Sequence, residues 1–123
     1  MLWYEDSNGD GLLDIYMGSE NGVIETNTNG QGMFAYLTNV ESLDLTNLDT
    51  SNITNMSSMF VGSNKLKEIE LSNFDTSNVT DMTSMFSGCS GLKEIDFRNA
   101  DFSKVTSYSN MFYNIPSKAT VYI

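Results

Sequence analysis

An acidic stretch near the start of the chain, DSNGDGLLD, has the residue types and spacing of a calcium-binding loop. Glycine occupies its sixth position, and side chains with oxygen atoms occupy its first, third, fifth and ninth: Asp6, Asn8, Asp10 and Asp14. Calcium takes about six to eight oxygen ligands, which carboxylates and amides at alternate positions around a tight glycine turn can supply. The stretch therefore predicts calcium as a ligand, and no other cofactor is expected.

The same stretch also fits a plain hairpin turn. The helix-loop-helix type of calcium site has Glu at its twelfth position, which is Met17 here, and no helical pattern flanks the loop. Asn8-Gly9 is a strong hairpin signal, and the neighbouring stretches LWYE and LLDIYM are rich in strand-forming residues. A bare hairpin tip and a tip that holds an ion both remain open.

The charge distribution limits the classes of partner. The chain of 123 residues has a formal net charge of −10, and no Lys or Arg precedes Lys65. Such a chain repels phosphate groups, so we expect no nucleic-acid partner and no anionic membrane surface. No stretch approaches the roughly 18 apolar residues of a transmembrane segment, and the first residues lack the pattern of a signal peptide.

The residues needed for common kinds of catalysis are missing. The chain contains no His, so Cys89 cannot form a Cys-His pair, and the usual general base and most zinc sites are excluded. Cys89 is the single cysteine, which also excludes an internal disulfide. We predict that it is a small buried side chain and that the protein is not an enzyme.

A repeat of 26 residues organises the chain. The stretch that starts at Leu48 aligns without a gap with the stretch that starts at Phe74, and partial units precede and follow them. One half of each unit reads L-x-x-I-x-L, which predicts a short parallel strand. The other half predicts a short helix, because its apolar residues are spaced by three and four: Val79, Met82, Phe86 and Cys89.

The register L-x-x-I-x-L-S-N-F-D-T-S-N-V-T-x-M-x-x-M-F-x-G-C resembles the 26-residue leucine-rich repeats of BspA-like bacterial surface proteins and related mycoplasma lipoproteins. Residues 33–123 carry this resemblance, and residues 15–34 are similar to the β-hairpin cap of that family. The resemblance implies an α/β leucine-rich-repeat solenoid, with a short parallel strand and a short helix in each repeat. It divides one structural domain into an N-terminal β-hairpin cap at 1–32 and a solenoid at 33–123, with units 33–47, 48–73, 74–99 and 100–123.

Carboxylates recur between the apolar positions of the predicted strands. One column contains Asp44, Glu70 and Asp96, and the column two residues earlier contains Glu68 and Glu94. Strands about 4.8 Å apart would align them as an acidic ladder. Retaining glycosidases use carboxyl pairs at similar spacing, so a glycoside hydrolase is the catalytic alternative, although nothing in the sequence shapes a cleft. We predict a partner-binding surface formed by Asp44, Glu68, Glu70, Glu94, Asp96 and Arg98.

Other polar and aromatic columns are predicted to be structural. An asparagine ladder, formed by Asn47, Asn73 and Asn99, is expected to bond the loop backbone. The aspartates two residues later are expected to form turns and caps: Asp49, Asp75 and Asp101. The tyrosines of the last unit are expected to cover its open end: Tyr108, Tyr113 and Tyr122.

The resemblance implies a non-catalytic binding or adhesion module outside the cell, at a bacterial surface, as a fragment of a longer exported protein. Its expected partner is a protein or another host or cell-surface ligand that meets the acidic strand face. Two alternatives stay open. In the first alternative, the chain is a structural spacer or assembly unit of a larger surface protein, with end-to-end self-association. In the second, it is a calcium-stabilised surface domain.

Overall fold

The computed structural model describes residues 2–5, 8–17 and 24–123, with residues 2–5 and 13–17 described as backbone only. Within these residues the regular elements are short strands. They are β1 (Leu2–Glu5), β2 (Leu13–Met17), β3 (Ile24–Glu25), β4 (Val40–Asp44), β5 (Leu48–Asp49), β6 (Glu68–Glu70), β7 (Glu94–Asp96) and β8 (Thr120–Tyr122).

The strands form three small sheets in the described part of the chain. β1 pairs antiparallel with β2, which runs parallel to β4, and β3 runs parallel to β5. β6, β7 and β8 are parallel neighbours in that order. A hydrogen bond of 3.2 Å from the Lys67 N–H to the Glu41 carbonyl links the β4 and β6 repeats. Successive repeats therefore lie side by side in sequence order.

The prediction of a leucine-rich-repeat solenoid with a helix in each repeat is wrong, because the described residues contain no helix and only short strands. The stretch predicted to be helical is a series of tight turns. The N–H of Met85 bonds the carbonyl of Met82 at 3.2 Å, three residues earlier. Ser84 and Gly88 have φ angles of 56° and 76°, a left-handed conformation that a right-handed helix does not contain.

Alternate N–H groups of these turns bond the following repeat. We name the stretches 29–36, 55–62, 81–88 and 107–114 the turn segments. In the third of them, four N–H groups donate at 2.8 to 3.0 Å to carbonyls of the fourth, and equivalent sets of four join the first to the second and the second to the third. The bonds from the third segment are Met82 to Ser107, Ser84 to Ser109, Phe86 to Met111 and Gly88 to Tyr113.

The apolar core lies between the turn segments and the strands. Val79, Met82, Phe86 and Cys89 are all 0% exposed, so their spacing marks buried positions although the backbone is not helical. One column of phenylalanines stacks through the repeats, with ring centroids 5.6, 5.5 and 5.8 Å apart along the series Phe34, Phe60, Phe86 and Phe112. Each stacked pair adds about 0.5–1.5 kcal/mol beyond its burial.

Polar columns also tie neighbouring repeats together. The Nδ2 of Asn73 donates to the Leu45 carbonyl at 2.8 Å, and that of Asn99 donates to the Ser72 carbonyl at 3.2 Å. These bonds confirm the predicted asparagine ladder at the two positions. The aspartate column forms turns as predicted, since each carboxylate accepts the N–H two residues later, in the pairs Asp49–Ser51, Asp75–Ser77 and Asp101–Ser103.

Candidate binding surface

Strands β6 and β7 present carboxylates on their outer face. In β6 the alternation of the strand exposes Glu68 and Glu70 and buries Ile69 between them. In β7, Glu94 is exposed and Asp96 half-buried on the same face. The parallel register places Glu68 opposite Glu94, and Glu70 opposite Asp96. We call these four residues the acidic face.

The two rows of the acidic face differ in their bonding. The Oε1 of Glu70 accepts the Ser72 N–H at 2.8 Å, and the Oδ1 of Asp96 accepts the Arg98 N–H at 2.9 Å. The carboxylates of Glu68 and Glu94 make no hydrogen bond or ion pair with any residue that the structure describes. The row of Glu70 and Asp96 therefore closes turns, whereas the row of Glu68 and Glu94 makes no such bond in the part of the chain that the structure describes.

Asp44 lies in a different sheet from the rest of the predicted surface. It ends β4, and its Oδ1 accepts both the N–H and the Oγ1–H of Thr46, at 3.0 and 2.7 Å. The hydroxyl and then the amide of Thr46 lower the pKa of Asp44 below its ordinary value. Its role is that of a turn former, like Glu70 and Asp96 in the following repeats.

Arg98 holds one corner of the acidic face. Its Nε and Nη2 contact the carboxylate of Asp96 at 3.0 and 2.6 Å, and its guanidinium carbon lies 4.9 Å from the centroid of the Tyr122 ring. The guanidinium hydrogen bonds, followed by the Arg98 N–H, lower the pKa of Asp96 to about 2. In turn, the Asp96 carboxylate raises the pKa of Arg98. The pair shows how a guanidinium can bind this surface.

The acidic face and Arg98 surround a shallow depression. Its volume is about 160 Å³, and it is lined by Glu68, Ile69, Glu70, Glu94, Asp96 and Arg98. Sites that enclose small molecules are usually about 300–1,000 Å³. The depression is therefore smaller than such a site and has room for about one side chain, and the predicted surface residues other than Asp44 all line it.

A family model described as "Mycoplasma protein of unknown function, DUF285" matches residues 28–120. The chain belongs to this family. The matched range includes all four turn segments and the acidic face. Neither the curated proteins nor the solved structures contained a match.

The calcium loop predicted for this DUF285 protein lies partly outside the described residues: Asp6 and the side chain of Asp14 belong to that part. Asn8 donates from Nδ2 to the Oε2 of Glu41 at 3.3 Å. The Oδ1 of Asp10 accepts the Leu12 N–H at 2.8 Å, and this bond lowers the pKa of Asp10. Among the described residues, no three Asp, Glu, His or Cys side chains form a metal site. Calcium binding stays a prediction.

Cys89 of this DUF285 protein is buried, as predicted. Its Sγ donates to the Phe60 carbonyl at 3.0 Å, and burial raises its pKa to about 11. Ser63, in the same column one repeat earlier, donates from Oγ to the Phe34 carbonyl at 2.7 Å. The thiol therefore has a structural role, which a hydroxyl fills in the preceding repeat.

Sequence reasoning missed two contacts near the candidate surface. Lys67 forms an ion pair with Glu41, and Tyr122 lies beneath Arg98. Lys67 and Glu41 are 26 residues apart, so the repeat period contained a signal for the ion pair. Arg98 and Tyr122 are 24 residues apart, and the period gave no signal for their contact. Within the described residues, no helix is both long and apolar enough to cross a bilayer.

Proposed function

We propose that this chain is a non-catalytic binding module at a bacterial cell surface and that it contacts a basic protein partner through the acidic face. The resemblance of residues 33–123 to BspA-like surface proteins supports the location and the binding role. The family description names no function, and a fold by itself does not assign one. Support for the contact surface comes from the chemistry of the acidic face.

The observation that carries the proposal is the position of Glu68 beside Glu94. The two side chains lie on neighbouring parallel strands, which are about 4.8 Å apart. Like charges directly opposite each other destabilise a sheet. A partner cation placed between the two carboxylates would remove this repulsion, so binding gains energy that a neutral surface does not offer.

The contact that Arg98 makes within the chain indicates the chemistry of the partner. Its guanidinium binds Asp96 through two nitrogens and rests on an aromatic ring. Arginine is suited to such contacts because its planar fork matches a carboxylate. An arginine from a partner protein can bind Glu68 and Glu94 in the adjoining part of the depression.

Binding of a fluorescent hexa-arginine peptide tests the proposal. We expect the Glu68→Gln/Glu94→Gln variant to bind about tenfold more weakly at 0.15 M salt, because two exposed ion pairs contribute roughly 0.7 kcal/mol each. The matched single variants are Glu94→Gln and Glu25→Gln. They remove one charge each, and Glu25 is exposed on β3, away from the acidic face.

A general charge effect would appear as an equal loss of affinity in Glu94→Gln and Glu25→Gln, and it would contradict the assignment to the acidic face. Wild-type affinity in the double variant would instead favour the spacer role, in which the strand face has no ligand. Each variant should keep the wild-type melting temperature to within a few degrees, since none of the three carboxylates closes a turn.

A further inference from the structure

We infer that Asn52 is an acceptor for an N-linked sugar, transferred from a donor that carries a diphosphate leaving group. Asn52 begins the stretch Asn52-Ile53-Thr54, which has the Asn-x-Thr pattern of such acceptors. The site uses neither carboxylate row of the acidic face. It is therefore a second feature of the surface, independent of the proposed binding function.

The acceptor pattern occurs three times in the chain, at Asn52, Asn55 and Asn78. A match of three residues is a weak signal, and it gives the three asparagines equal weight. The structure separates them, because sugar transfer needs an exposed side-chain amide whose nitrogen can change its geometry. Of the three asparagines, Asn52 meets both conditions.

The chemistry of the transfer sets these conditions. The Nδ2 atom of asparagine shares its lone pair with the neighbouring carbonyl, as a peptide nitrogen does, so it reacts only when its NH₂ group turns out of the amide plane. It then bonds to C1 of the sugar, while the bond from C1 to the diphosphate oxygen breaks and its electron pair leaves with the diphosphate. One Nδ2 proton passes to a base of the transferase.

Asn78 is held at both ends of its amide. Its Nδ2 donates to the Ser51 carbonyl at 3.0 Å, and this bond opposes rotation of the NH₂ group. Its Oδ1 accepts the Nζ of Lys104 at 3.0 Å, and the ammonium draws the amide electrons towards the oxygen. The nitrogen of Asn78 is therefore both held in place and made less nucleophilic.

Asn55 is unsuitable because its stretch is partly buried. Asn55 is half-buried, and its Oδ1 accepts the Ser57 N–H at 2.8 Å. Ser57 is the third residue of the match and is 7% exposed, so a transferase cannot reach its hydroxyl. The stretch forms a side-chain turn, as Asp81 does with the Thr83 N–H one repeat later, also at 2.8 Å.

Asn52 lies exposed in a tight turn. The Ile53 N–H bonds the Thr50 carbonyl at 3.0 Å, which places Asn52 at the third position of the turn. Its side-chain amide makes no hydrogen bond with any residue that the structure describes. Exposed turns are the parts of a folded chain that enzymes reach most easily. The amide of Asn52 is thus accessible and able to rotate.

The threonines do not account for the difference between Asn52 and Asn78. Thr54 and Thr80 are both exposed, and each donates from Oγ1 at 3.2 Å to the carbonyl 26 residues earlier. The backbone turn around Asn78 is also closed by a bond of 3.0 Å. What distinguishes the two stretches is the bonding of the asparagine amide, so Asn78 is a matched control within the chain.

Transfer of sugar to the folded chain tests the inference. One reaction contains a soluble bacterial N-glycosyltransferase and a nucleotide diphosphate hexose, and the other contains a membrane-bound oligosaccharyltransferase and a lipid-linked diphosphate donor. We expect attachment at Asn52 to be about tenfold faster than at Asn78, since two hydrogen bonds, one of them with a charged group, hold Asn78. Peptide mass spectrometry maps the sites, and the reaction that proceeds identifies the class of donor.

Unfolded peptides of residues 48–56 and 74–82 are the matched controls, and each transferase is one that modifies both. The two peptides should react at similar rates, because neither contains the fold. In the folded chain, Asn52→Gln should abolish modification, whereas Asn78→Gln, with its fold checked by circular dichroism, should keep the wild-type rate. Asn52 left unmodified in the folded chain by both enzymes, or Asn52 and Asn78 reacting there at equal rates, overturns the inference. A preference between the peptides as large as that in the folded chain also overturns it.

Discussion

Glu68 and Glu94 lie opposite each other on the parallel strands β6 and β7, and their carboxylates have no partner in the described part of the chain. In the adjacent row, Glu70 and Asp96 also lie opposite each other, but both accept a backbone N–H. The same strands thus carry one row of carboxylates that maintains the fold and one row that does not. Substitutions in the two rows should have different consequences.

The Asp96–Arg98 pair should make stability depend on pH in the acid range. The folded-state pKa of Asp96 is lowered to about 2, whereas the value in an unfolded chain is about 3.9. The unfolded state then binds more protons, so stability rises with pH, and the contribution of the pair is lost as pH falls from about 4 to about 2. Urea midpoints across this range should fall less in Asp96→Asn than in the wild type. Equal slopes would contradict the pairing.

Ser84→Gly should stabilise the protein, by about 0.5–1 kcal/mol, because Ser84 has a φ angle of 56° and glycine adopts this conformation without strain. Ser87→Gly is the control, since Ser87 is not among the residues with positive φ in the described chain. It should destabilise by about 0.5–1 kcal/mol. Urea denaturation measures both. If Ser84→Gly lost stability like its control, a helical conformation would be favoured instead.

Phe86→Ala should cost far more stability than Phe112→Ala. Phe86 is 0% exposed and stacks on rings from both neighbouring repeats, so its removal leaves a cavity and costs about 3–5 kcal/mol. Phe112 is 38% exposed at the end of the column, so we expect less than half of that loss. Chemical denaturation of the two variants measures both losses of stability, and similar losses would contradict the partial exposure of Phe112.

Calcium at the loop between β1 and β2 should raise the melting temperature. Extracellular calcium sites often have dissociation constants of about 10⁻⁴–10⁻³ M, so about 10 mM calcium should raise it by several degrees. Asp10→Ala should abolish this shift, and magnesium is the control ion. No shift, or the same shift in Asp10→Ala, would leave the loop as a plain turn.

The 26-residue period predicted which side chains meet between repeats. It correctly placed Glu68 beside Glu94 and Asn73 over the preceding repeat. The position of a side chain in a stack depends on the register of the repeats, and a gapless period determines that register. The buried state of Phe86 and Cys89 followed from the same columns.

The backbone of the turn segments was predicted incorrectly for a physical reason. Spacings of three and four indicate which side chains face the core, but they do not tell whether the N–H groups bond within the segment or across to the next. The signal was in the column that contains Gly32 and Asn110, two residues that tolerate positive φ. Ser58 and Ser84 occupy the same column, and serine by itself does not indicate a positive φ angle.

The bonding of the acidic face could be predicted only in part. Ser72 stands two residues after Glu70, as Thr46 does after Asp44 in the preceding repeat, which is a pattern of side-chain turns. The sequence did not show that Arg98 would bind Asp96 rather than a partner, or that the Tyr122 ring of the next repeat would lie beside its guanidinium.

A nuclear magnetic resonance titration of the labelled protein with an arginine peptide tests the central claim most directly, because it maps the contact without altering the chain. The account predicts that the largest amide shift changes fall on β6 and β7, around Glu68 and Glu94, and that they saturate. Changes spread over all acidic segments, including Glu25 and Asp49, would contradict a defined binding surface on the acidic face.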